Sequence, residues 1–94
     1  MIFFLLVMMG WSQPGATFTC KPNSWYVRCE SLSAYPNRVT WEVWPPGGTY
    51  HKDYDEGLTA YLKAVAGDSI RMIVSSDNED RIIIKTLDKN RIIE

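Results

Sequence analysis

Apolar and polar residues alternate one by one over several stretches of this chain, the pattern of strands with one buried face. Val39, Trp41 and Val43 are separated by Thr40 and Glu42, with Trp44 on the polar side, and Ile70, Met72 and Val74 are separated by Arg71 and Ile73. Phe18 and Cys20 share one face of a predicted strand over residues 17–20; Trp25, Val27 and Cys29 share one face of a second over 25–32. The intervening Lys21-Pro22-Asn23-Ser24 is made of turn formers, so the two strands form a hairpin with both sulfurs directed inward. Pro36-Asn37 marks the next turn, and Pro45-Pro46-Gly47-Gly48 ends the third strand. Isoleucines over 81–87 predict another strand, reached through a loop at 75–80, and Leu87-Asp88-Lys89-Asn90 turns the chain into a final strand over 91–94. That last strand leaves an open sheet edge, so the oligomeric state is undetermined.

One stretch follows a different period. Asp53 and Glu56 have capping-box spacing, and Tyr54, Leu58, Tyr61, Leu62 and Val65 recur at helical intervals until Gly67. A helix is therefore predicted over 54–66, with the acidic run Asp53-Tyr54-Asp55-Glu56 at its electropositive N-terminus rather than at a metal or acid/base site. A second acidic run, Asp77-Asn78-Glu79-Asp80, reads as a solvated hairpin tip. Three strands, one helix and three strands predict an α+β fold, one helix packed on a curled, mostly antiparallel sheet.

The eight apolar residues Ile2 to Met9 are too few for a membrane-spanning helix and match the core of a signal peptide. Small residues place cleavage near residue 12 or 16, giving a mature end at Gln13 or Thr17 and a single exported domain over 17–94 that is not membrane-embedded. The alternative makes Ile2 to Met9 a buried first strand of a cytosolic domain. About 80 residues support one modest core, which gains from a staple. Cys20 and Cys29 allow one intrachain disulfide, closing a short loop for about 2–3 kcal/mol; free thiols are the alternative in a reducing compartment. Without a CxxC or Cys/His set, no zinc or other cofactor is expected.

Ten Lys and Arg against eleven Asp and Glu give a net charge of −1, which argues against a nucleic-acid partner. No Asn-x-Ser/Thr sequon occurs. His51 is the only histidine, in a predicted loop, and one histidine makes no triad. Glu42, flanked by Trp41 and Trp44 on the polar side of its strand, is either desolvated between the indoles or turned to solvent. The aromatic density is the more distinctive feature: Trp25, Tyr26, Tyr35, Trp41, Trp44, Tyr50 and Tyr54 fall close together. Alternation puts Trp41 in the core and leaves Tyr26, Trp44 and Tyr50 as the candidate binding residues.

Phe18-Thr19-Cys20, placed shortly after an apolar leader, resembles the aromatic-x-Cys start of small secreted effectors of powdery mildew fungi, many of which are similar to microbial guanyl-specific ribonucleases. Trp41-Glu42-Val43-Trp44-Pro45 is similar to the strand that carries the catalytic glutamate in that ribonuclease family, and Asp80-Arg81-Ile82-Ile83-Ile84 to the strand that carries its catalytic arginine. The resemblance implies Glu42 as base and Arg81 as phosphate clamp. It departs from the family in placing the predicted helix after the Glu-bearing strand and in lacking a C-terminal histidine and a late cysteine.

Two functions follow. A small exported, non-enzymatic interaction protein of effector, inhibitor or toxin type, binding a protein through exposed aromatic residues, needs only a rigid scaffold and a few anchors. A secreted ribonuclease-like or other small hydrolase would need Glu42, His51 and Arg81 assembled in one cleft. The first makes fewer demands on this sequence.

Overall fold

The computed structural model describes residues 16–32, 38–76 and 79–94. The apolar leader, the first of the two cleavage positions, Tyr35 and the Pro36-Asn37 turn lie outside them; Ala16, at the second cleavage position, packs against the core. Among the described residues seven strands occur: β1 (Phe18–Asn23), β2 (Tyr26–Ser31), β3 (Arg38–Trp44), β4 (Asp53–Glu56), β5 (Thr59–Lys63), β6 (Ser69–Ser75) and β7 (Asp80–Thr86). They form two antiparallel sheets, ordered β1-β2-β5 and β4-β3-β6-β7.

The predicted α+β class is overturned, because no helix occurs among the described residues and residues 54–66 are instead the β4–β5 segment. Ala60, Leu62 and Ala64 are buried while Tyr61, Lys63 and Val65 are exposed, a period of two that small alanines make hard to see beside the helical spacing of Tyr54, Leu58 and Tyr61. Gly57, at φ 107°, follows the end of β4 only four residues into the supposed helix. Long-range pairing of β5 with β2 decides the outcome over local propensity. The acidic run keeps its structural role in another form. Asp55 Oδ2 accepts from Tyr61 N–H at 2.9 Å and Asp53 Oδ2 from Lys63 N–H at 2.7 Å, so carboxylates satisfy the edge of β5 that no strand covers.

The core lies between the sheets. Phe18, Cys20, Val27, Cys29, Ala60 and Leu62 come from one, and Val39, Trp41, Val43, Ile70 and Met72 from the other. At its centre Phe18 and Trp41 meet edge to face, ring centroids 5.3 Å apart. The Trp41 indole N–H donates to Gly57 O at 2.7 Å and so holds the turn by which the chain passes from one sheet to the other.

The β1–β2 hairpin is real but tighter than predicted, with only Ser24 and Trp25 outside the paired strands and Ser24 at φ 62°. Trp25, expected on the inward face, is thereby moved to the tip and is 68% exposed. Cys20 and Cys29 face each other in register and form the disulfide. Cys20 exchanges both backbone hydrogen bonds with Ile93, leaving Cys20–Cys29 as the close, non-hydrogen-bonded kind of cross-strand pair, Cα atoms 4.1 Å apart. The final segment is thus not a strand beside β7. It bridges β1 through Ile93, which is buried.

Asp68 is the one polar residue among the described residues that is fully buried. Its carboxylate accepts from Val65 N–H at 2.9 Å and pairs with Lys52 Nζ at 2.7 Å, while its carbonyl accepts from Leu87 N–H. Those partners tie the β5–β6 turn to the approach to β4 and the end of β7, and they offset the cost of burying the charge.

Trp41 combines packing with a hydrogen bond, and the two separate by substitution. Trp41→Phe keeps an edge-to-face ring but abandons the Gly57 carbonyl, costing about 1–3 kcal/mol, whereas Trp41→Ala costs about 3–5 kcal/mol. Urea unfolding followed by fluorescence measures both; an unchanged stability in Trp41→Phe would show that the indole N–H does not contribute. Replacing both cysteines by Ala lowers stability by about 2–3 kcal/mol in the same assay.

Candidate binding face

The outward side of the four-stranded sheet carries Glu42, Trp44 and Tyr54, with His51 beside them. Antiparallel register sets them in rows: Tyr54, Glu42, Arg71 and Ile84 lie across neighbouring strands, as do Glu56, Thr40, Ile73 and Ile82. Trp44 closes β3 at one end of this face, opposite Ser69. Its indole N–H donates to Glu42 Oε1 at 2.7 Å, and the Arg71 guanidinium lies 3.9 Å over its ring. Arg71 Nε is buried and makes no hydrogen bond among the described residues. Glu42 therefore resolves neither as a desolvated acid nor as a free surface carboxylate; it is a half-buried acceptor that orients Trp44.

His51 is exposed between two rings, 6.2 Å from Trp44 and 6.4 Å from Tyr54 by centroids. Tyr54 donates its hydroxyl to Glu56 Oε2 at 2.6 Å, and Arg38 approaches the same carboxylate at 3.9 Å. The bond to Glu56 holds the Tyr54 phenol above its ordinary pKa, with lesser upward contributions from desolvation and the Glu56 charge, opposed by Arg38.

Glu42 and His51 thus share Trp44 as a neighbour, but Arg81 is not with them. On β7 it pairs with Val74 of β6, at the opposite parity from Ile84 and three residues along, so it stands about 10 Å down the strand and on the other side of the sheet. The trio of the hydrolase reading is not assembled. Among the described residues, no group of three or more His, Cys, Asp or Glu side chains is placed to hold a metal ion.

The three aromatic candidates are divided as well. Trp44 and Tyr26 are half-buried on opposite outer faces of the molecule, and Tyr50 is 74% exposed in the loop before β4. Sequence reasoning missed Trp25 and Tyr61, both exposed, and the pair Ile82 and Ile84, each 55% exposed on β7. The isoleucines were legible in principle, since a run of apolar residues on an edge strand leaves one alternate set facing out.

The fold defines a two-sheet antiparallel sandwich with strand order first-second-fifth against fourth-third-sixth-seventh. Its disulfide links neighbouring strands within one sheet and does not join the two sheets. Family models, curated proteins and solved structures were each compared with the chain, and none matches.

Because the Tyr54 phenol is raised in the folded state, its bond to Glu56 favours folding below the ordinary tyrosine value of about 10 and is lost as pH rises through the higher folded-state value. Ultraviolet titration of the protein against Tyr54→Phe isolates this phenol. Glu56→Gln is expected to move it back down; an unchanged titration would remove the assigned cause.

Proposed function

We propose that this chain is a small exported, disulfide-stapled binding protein, non-enzymatic, that engages a protein partner through the outer face of its four-stranded sheet. The observation that carries the reading is the company Trp44 keeps: an indole oriented by Glu42 and Arg71, with His51 and Tyr54 beside it and the exposed Ile84 and Ile82 in successive rows further along the same sheet face. A pre-oriented aromatic and an arginine set among apolar residues is the composition of interface hot spots, and holding the ring in place before binding lowers the entropic cost of association. The disulfide supports export, since such bonds persist in oxidising compartments.

Intact mass of the protein recovered from culture medium tests export: the expected species lacks the first 12 or 16 residues and frees two thiols only on reduction. A full-length product with free thiols would end the export reading. For binding, Trp44→Ala and Tyr50→Ala are each expected to weaken partner capture by about tenfold or more while leaving the unfolding midpoint within the range of ordinary surface changes. Retention of the same proteins at the same level by wild type and both variants would remove this face as the interface.

A further inference from the structure

The opposite outer face, on the β1-β2-β5 sheet, has a different chemistry. Register sets Asn23, Tyr26 and Lys63 in one row, and Lys21, Arg28 and Tyr61 in the next. Trp25 at the hairpin tip lies 5.5 Å from Tyr26 by ring centroids, with Lys63 Nζ 5.7 Å from its ring centre. Glu30 is the only strand carboxylate on this face, and it is bound to Arg28 at 2.9 Å. Tyr61 and Glu30 together hold the Arg28 guanidinium firmly protonated, Tyr61 first through its hydrogen bond. The outward rows carry three cations and one acid, +2, with Asp53 and Asp55 bordering them at the free edge of β5 through Lys63 N–H and Tyr61 N–H; the rest of the molecule, those two included, has seven cations and ten acids, −3. The overall charge of −1 conceals this division. The expectation against nucleic acid rested on that sum, and the fold separates its parts.

We propose that this face binds single-stranded nucleic acid, with bases stacked on Tyr26, Tyr61 and Trp25 and phosphates held by Lys21, Arg28 and Lys63. Tyr26 and Tyr61 are diagonal cross-strand neighbours, about 7–8 Å apart. The rows repeat at about 7 Å along the strands, so rings and cations alternate over a flat surface. Aromatic residues side by side on a sheet face are how sheet-based RNA-binding modules stack unpaired bases, and flanking cations follow the backbone. A duplex is excluded by shape, because its bases are already stacked and the face presents no helix or ribbon to enter a groove.

The test uses the disulfide-bonded protein and a short fluorescent oligothymidylate, with binding read by anisotropy. Three phosphate contacts predict a slope of log affinity against log salt of about −2, an approximately 20-fold loss between about 50 and 200 mM salt. Lys21→Gln is expected to make that slope shallower by about 0.7. Tyr61→Ala is expected to weaken binding about tenfold and Tyr61→Phe to restore most of it, which separates the ring from the hydroxyl that holds Arg28. An abasic strand of equal length carries the same charge without rings and is expected to bind at least about tenfold more weakly. Equal binding of the abasic strand, of a duplex, or of a sulfated polysaccharide that ignores Tyr61→Ala would identify a general polyanion surface and overturn the proposal, as would no binding at low salt. Circular dichroism of each variant confirms that the sandwich is retained.

Discussion

The sandwich depends on one side chain at the point where its two sheets are joined. Trp41 fills the centre of the core against Phe18 of the other sheet, and its indole N–H reaches the carbonyl of Gly57, where the chain crosses from the four-stranded sheet to the three-stranded one. A shorter apolar residue there would leave a cavity beside Phe18 and abandon a carbonyl at the crossing. Because β5 follows that crossing directly, the position of its buried Ala60 and Leu62, and its pairing with β2, are set from the same place.

Around that centre, short polar devices close the ends that hydrophobic packing cannot. Asp53 and Asp55 occupy the bare edge of β5, the Cys20–Cys29 bridge staples β1 to β2, and Ile93 covers the other side of Cys20. Asp68 with Lys52 fastens the turn between β5 and β6. In a domain with so small a core, these local closures keep sheet edges from pairing indiscriminately.

The outer faces are then free to differ. One presents an oriented tryptophan among isoleucines and tyrosines, the other rings interleaved with lysine and arginine. Both arise from the same strand alternation that builds the core, since each inward residue leaves an outward neighbour. The polar members of β3 and β6 orient one another on one face, and those of β2 and β5 do so on the other.

Much of this was legible residue by residue. Strict alternation in Val39–Val43 and Ile70–Met72 located the core positions of β3 and β6, and the cysteine spacing located the staple, because period-two burial and a short covalent loop are local properties. The helix over 54–66 failed because its capping box and its apolar spacing fit two local structures, and only the demand of β2 for a partner chose between them. Trp25 was misplaced by a single turn position, which moved it from an inward row to an exposed tip. For the candidate sites, alternation selected Trp44, Tyr26 and Tyr50 as expected binding residues but could not say that Trp44 and Tyr26 lie on opposite faces, nor that Arg81 lies far from Glu42. Those are statements about register between strands distant in sequence, and register is decided by which edges meet once the core has closed.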